Sequence, residues 1–351
     1  MEGYVDIQQL NTDKNCREWD GIVSSSKSGT FFHTSYWLKI IENAYKLKSY
    51  HLILYNKQEP VLAMPLFQSG DALYSPFMAE YGGACVNDKY AKETVQVKAV
   101  FKKLFNKIAY IGKKEGVPAA YVRGHYDNKT MDYFLNDGSY KIIAKNLTFV
   151  LSEFYDIEDT MSIFHKKTRN AVKKALKEGM DVEPIDAKSK AMEEYIGLHA
   201  ITKRKHGSEP FKDTFFDVLG SIPPENIDIR RVMHNGVCIA GLMSFIFNGR
   251  IHVFDNCSEP DCLKFNPNHL LYYSLIEMAK ERKMEVDFGK TSPDHHSLRQ
   301  FKERWGGKMH SFNTYMKIMP PVALNTMIMG AGYLKRHGAR ETVKRIAQRR
   351  Q

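Results

Sequence analysis

The chain of 351 residues is 43% hydrophobic and carries a net charge of +11, so it is long enough to bury a substantial core and more readily forms two domains than one. It shows neither a basic N-terminal segment leading into an apolar run nor a stretch of about 18 uncharged apolar residues, which argues against export and against a membrane span and makes the cytoplasm the expected compartment. Five cysteines (Cys16, Cys85, Cys238, Cys257, Cys262) make no paired framework, as suits a reducing environment. Cys257 and Cys262, with His252 and His269 nearby, lack the second matched pair of a zinc site, so no metal is expected.

The positive charge is local. Between His165 and Gly179 six cations face only Glu178, and from Pro320 to Gln351 seven face only Glu341; these two segments account for the whole excess. The rest of the protein is balanced.

Taken in chain order, the first half reads as a helix from Thr34 to Ala44, a strand Tyr50–Tyr55, a turn Asn56–Glu59 and a second strand Val61–Phe67. Tyr81-Gly82-Gly83 then marks a turn, or a place where backbone approaches a ligand. Lys166 to Lys177 reads as a charged helix, with Phe164, Ala171, Val172 and Ala175 left for packing. The second half repeats the first: a helix Lys212–Leu219, a strand Ile227–Met233, a turn His234-Asn235-Gly236 and a strand Val237–Phe247. Asn248-Gly249 is a tight hairpin turn into Arg250–Asp255. Asn266-Pro267 opens a helix continuing to Lys283.

Val286 to Gly307 (VDFGKTSPDHHSLRQFKERWGG) is the densest stretch: a short buried strand, a polar loop, and a helix in which Leu298, Phe301 and Trp305 share one face. Asp287-Phe288-Gly289 spells the magnesium-binding tripeptide of protein kinases, but no glycine-rich loop, V-A-I-K strand or H-R-D loop accompanies it, and the kinase reading falls.

Four segments together resemble the FemAB group of peptidyl and acyl transferases: Ser75–Val86 (SPFMAEYGGACV), Lys167–Met180 (KTRNAVKKALKEGM), Thr202–Leu219 (TKRKHGSEPFKDTFFDVL), and Asp287–Gly306 with its Asp-Phe-Gly, Phe-Lys and Trp-Gly elements. The resemblance spans roughly residues 30 to 318 and is strongest to the GNAT-like FemAB proteins of envelope and exopolysaccharide clusters. It implies an α/β (α+β) fold of two tandem GNAT-like domains with mixed central sheets, divided as residues 1–155 and 156–320, the second carrying the active site, followed by a basic amphipathic tail over 321–351.

The implied activity is N-acyl transfer from an activated donor, an acyl-CoA or an aminoacyl-tRNA, to an amine on an envelope or polysaccharide precursor, with no other cofactor. Such chemistry needs a positioned amine and a positive charge for the developing oxyanion. The resemblance gives Lys302 that electrophilic role; the alternative is a solvated helix lysine. Asp287 is expected either to orient or deprotonate the acceptor, or to cap its own turn. Asp294, His295 and His296 form a second candidate base. Arg169 offers a planar fork for a phosphate or carboxylate, and Arg204, between Lys203 and Lys205, extends that surface. Tyr81 is expected on the cleft wall, and Phe301, Trp305 and Asp255 complete the expected substrate contacts.

The Arg/Gln-x-x-Gly-x-Gly/Ala pyrophosphate loop of ordinary acetyl-CoA enzymes is missing, since Cys257 to Asn268 contains no glycine. That weakens acetyl-CoA as donor and leaves another acyl-CoA or an aminoacyl-tRNA open. The tail reads as a helix lying on the inner membrane face, a tRNA contact, or a disordered end.

Overall fold

The computed structural model describes residues 5–10, 13–91, 94–136 and 140–319. The tail assigned to 321–351 lies outside the described residues.

The first half begins with β1 (Val5–Gln9) and α1 (Asp13–Ser25), then α2 (Ser35–Tyr45), whose first turn is capped by the Thr34 hydroxyl accepting from the Trp37 N–H. Short strands follow: β2 (Lys48–Ser49), β3 (Leu52–Asn56), β4 (Glu59–Met64), β5 (Phe67–Ser69), β6 (Ala72–Ser75) and β7 (Cys85–Val86). Helices α3 (Asp88–Ala91) and α4 (Thr94–Lys114) lead to β8 (Ala119–Arg123), α5 (Lys129–Leu135) and β9 (Lys141–Leu151).

The second half runs α6 (Lys166–Ala175), β10 (Asp181–Pro184), α7 (Ala191–Lys205), α8 (Asp213–Leu219), β11 (Ile227–His234), β12 (Val237–Phe247) and β13 (Arg250–Ser258). It ends with α9 (Pro267–Glu281), β14 (Glu285–Asp287), α10 (His296–Glu303) and β15 (Lys308–Ile318).

Strands β1-β3-β4-β7 form a small sheet, and the others join one eleven-stranded mixed sheet in the order β10-β11-β12-β13-β14-β9-β15-β8-β6-β5-β2. Each half contains one parallel pair joined through a helix: β6 with β8 across α4, and β13 with β14 across α9. This is the tandem mixed-sheet architecture the sequence implied. Strand β15 pairs with β9 along most of its length and with β8 at its C-terminal end, so the two halves share one hydrogen-bonded ladder.

Aromatic residues weld the halves face to face. Phe31 stacks on Phe245 at 4.7 Å, and Trp37 meets Phe245 at 5.2 Å, Phe254 at 5.5 Å and Phe215 at 6.0 Å. Helices α2 and α8, which the internal repeat equates, lie against each other, with the Thr214 hydroxyl donating to the Ala44 carbonyl at 2.7 Å. Burying this many aromatic rings, each worth about 0.5–1.5 kcal/mol in ring contacts beyond its area, fixes the geometry between the halves.

Candidate active site

Strands β13 and β14 pair over only three residues, Arg250–His252 against Glu285–Asp287. Beyond that point β13 runs on to Ser258 while the chain after Asp287 turns away, and the gap opens a cleft of about 750 Å³. Its walls come from the end of β13, the C-terminal turn of α7, the start of α9, the 288–298 loop and α10. Glu80, from the first half, closes one side.

Helix α10 carries Lys302 into this cleft. The side chain is buried, and its ammonium donates to the carbonyls of Gly289 at 2.9 Å and Lys290 at 3.2 Å. An ammonium has three donors, so one remains. Burial lowers its pKa to about 8, against the pull of Glu80 and Asp287. Lys302 is therefore not a solvated helix lysine.

The carbonyls that hold Lys302 depend on Gly289. Its φ is +74°, and an added Cβ would lie 2.7 Å from the Val253 carbonyl oxygen. Gly289→Ala is expected to displace the loop, lowering the melting temperature and cutting turnover at least as much as a conservative change at Lys302; thermal denaturation and kinetics together check this.

Asp287 lies beneath the loop, fully buried and outside the cleft wall. Its carboxylate accepts from Tyr81 at 2.7 Å, Thr148 at 2.6 Å and the Gly289 N–H at 2.9 Å. Burial alone would raise it; His252 at 3.6 Å and the two hydroxyls more than offset that and hold it well below the usual carboxylate range. A carboxylate so fully bonded is a poor proton acceptor. The turn cap is present, and Tyr81 reaches Asp287 from the other half instead of lining the cleft.

Asp255 sits on β13 in the cleft wall, bonded to Tyr195 at 2.9 Å, His199 Nδ1 at 2.7 Å and Lys203 at 2.8 Å. The Phe211 N–H donates to His199 Nε2 at 3.0 Å, so Nδ1 carries the proton that Asp255 accepts. Burial opposes ionisation of Asp255, but His199 and Lys203 outweigh it and hold the carboxyl well below its usual range. The result is a fixed Lys203 ammonium over the Phe211 ring, 4.8 Å from its centroid.

The other sequence candidates are divided between the cleft and its surroundings. Arg204 is exposed and lies outside the cleft wall, while its neighbours Lys203 and Lys205 line it. Arg169 donates to the Phe164 and Ser162 carbonyls at 2.7 and 3.3 Å, outside the cleft wall. Lys167, two residues earlier, lines an adjoining groove of about 360 Å³ with His269 and Arg304. Phe301 lies between groove and cleft and borders both. Trp305 is wholly buried behind it, against Phe164 and Tyr272. Of the histidine loop, His295 lines the cleft. Glu80 and Lys290, which sequence reading passed over, both line it. Among the described residues no group of His, Cys, Asp and Glu side chains is placed to hold a metal ion, and no helix is long and apolar enough to cross a membrane.

Residues 164–303, which bear almost all of this cleft, match the family model described as an acetyltransferase (GNAT) domain. The match is confined to the second half of the chain. The whole fold is similar to a solved FemX structure at 15% identity, covering 92% of this chain and 99% of that one with a TM-score of 0.70. It is also similar to a tandem GNAT protein from the clavulanic acid biosynthesis pathway (10% identity, 91% and 99% covered, TM-score 0.61) and to L-PGS from Bacillus licheniformis (11%, 92% and 97%, 0.58). At these identities the likeness is one of fold. Comparison with curated proteins gave no significant match. In place of a glycine-rich loop, the matched region enters α9 through a 3₁₀ turn (Pro260–Phe265) and Asn266 at φ +62°.

Proposed function

We propose that the protein is an N-acyltransferase that moves an acyl or aminoacyl group from an activated donor to an amine on an envelope or polysaccharide precursor. The observation that carries this is Lys302: a buried ammonium, fixed by two carbonyls, with a donor left over in the cleft where β13 and β14 part. A cation held this way suits the negative charge that builds on the donor's carbonyl oxygen, and it needs no reorganisation as the charge appears. The acceptor nitrogen forms the new C–N bond, the donor's ester or thioester bond breaks, the amine gives up a proton and the leaving group gains one. The absence of a glycine-rich pyrophosphate loop favours an aminoacyl ester over acetyl-CoA.

The test is a donor screen by thermal stabilisation. A true donor at a hundredfold its Kd stabilises by about 2.7 kcal/mol. Stabilisation by charged tRNA alone supports the aminoacyl route; stabilisation by CoA thioesters alone makes it an acyl-CoA enzyme; a response to neither counts against transfer.

This role also sets a pH signature. If the Lys302 ammonium is the catalytic form, turnover falls as pH rises through about 8. Stability moves the other way. Lys302 is lowered from 10.5 to about 8 on folding, so between those values the unfolded chain holds a proton that the folded chain does not, and stability rises with pH. Opposite slopes of kcat and melting temperature above pH 8 are the expected result; parallel slopes would remove the electrophilic role.

A further inference from the structure

Besides Lys302 and Lys203, the cleft is lined by the half-buried Lys290, with different surroundings. Its backbone N–H donates to Glu80 Oε2 at 2.9 Å, which fixes that carboxylate at the base of the lysine. The Gly289 Cβ position is 3.8 Å from Glu80 Cδ, so the carboxylate lies directly against the loop. The Lys290 side chain lines the cleft, yet among the described residues its ammonium meets neither a hydrogen-bond acceptor nor an ion-pair partner. Lys203, in the same wall, is paired with Asp255, and Lys302 bonds two carbonyls.

Glu80 offsets only part of the positive charge around Lys290. Arg123, whose Nη1 donates to the Ala79 carbonyl beside Glu80, adds to it, and burial together with Arg123 lowers Lys290 to about 8. A half-desolvated ammonium with no direct acceptor, beside Arg123 and only partly offset by Glu80, is better satisfied when an anion arrives. Glu80, a carboxylate with one oxygen still open, stands next to it. One anionic and one cationic group side by side complement a molecule carrying the opposite pair.

We propose that Glu80 and Lys290 form a zwitterion site, and that the acceptor is an amino-acid-like molecule whose amine lies close to a carboxylate. Glu80 takes the ammonium and Lys290 the carboxylate, which sets the nitrogen beside Lys302. The proposal rests on the transferase reading only for the word acceptor, because the site is defined by binding. Glu80, already holding the ammonium, accepts its proton, which leaves the attacking amine within the cleft and the proton available to the donor's leaving group.

The experiment is a titration by calorimetry of the full chain with ω-amino acids from glycine to 6-aminohexanoate, and with n-butylamine and butyrate as single-charge probes. At least one amino acid is expected to bind ~10-fold or more tightly than either single-charge probe, the worth of one partly desolvated charge pair. Lys290→Gln should abolish that advantage and leave butylamine affinity unchanged, and Glu80→Gln should weaken amine and amino acid alike. Because Lys290 is half-exposed and Gln at position 80 can still accept the Lys290 N–H, both variants are expected to fold. Butylamine binding as tightly as the best amino acid, retention of the advantage in Lys290→Gln, or no amino-acid binding at millimolar concentration would each overturn the proposal. A Lys290-dependent amino-acid site in a protein that no acyl donor stabilises would instead keep the site and reject the transferase.

Discussion

Replacing Lys302 with Met is expected to lower kcat by about 10²–10³ while leaving the melting temperature near that of the wild type. Two terms set the stability. The variant leaves the Gly289 and Lys290 carbonyls short of a donor, a loss of about 1–3 kcal/mol. It also removes an ammonium that burial already disfavours, as its fall to about 8 records, and Met fills nearly the same volume. These oppose each other, whereas nothing offsets the missing charge at the reacting carbonyl. Steady-state kinetics beside thermal denaturation separates the cases: equal loss of fold and rate would make Lys302 a structural clamp, and unchanged turnover would remove it from the mechanism. The KM for donor should change less than kcat, because the ammonium acts on charge that develops only as the bond forms.

Asp287→Ala should have the largest effect on stability, a loss of about 3–5 kcal/mol at neutral pH. The substitution strands the buried Tyr81 hydroxyl and the Gly289 N–H, and leaves the Thr148 hydroxyl only its 3.1 Å bond to the Gly289 carbonyl. Two of these partners belong to the first half, so the same change loosens the seam between halves. The acid side gives an independent check. The folded carboxyl lies below its unfolded value, so its contribution is fully present above about pH 4 and fades as pH falls through the folded pKa. Urea melts should show a wide gap between wild type and Asp287→Ala at pH 7 that narrows under strong acid. A constant gap would mean that the loss comes from packing and not from the carboxylate.

The sequence exposed its elements where local chemistry is strong. The His-Asn-Gly and Asn-Gly turns delimit β12 at Val237–Phe247, the same bounds read from the residues, and Asn266-Pro267 starts α9 where expected. Strands β9 and β15 went unread, because their pairing partners lie far along the chain and local periodicity carries no record of partner or register. The site was half legible. The Phe301-Lys302 pair stands out by resemblance, whereas Glu80 and Lys290 are 210 residues apart and meet only through the fold. Choosing Arg204 over Lys203 shows a finer limit: neighbours on a helix point about 100° apart, and packing alone decides which one faces the cleft. Arg169 carried a plausible anion fork that the chain uses to tie up the Phe164 and Ser162 carbonyls.

The place of β15 constrains how this protein can be altered. A fragment ending at residue 303, where the matched domain stops, would retain the cleft residues yet lack the strand that covers both β9 and β8. Two neighbouring rows of backbone donors and acceptors would then face water inside what had been a continuous sheet, an invitation to self-association. The cleft-bearing half is thus not a portable module: recombining it with a different first half would require a matching β8, so the two halves are bound to change together.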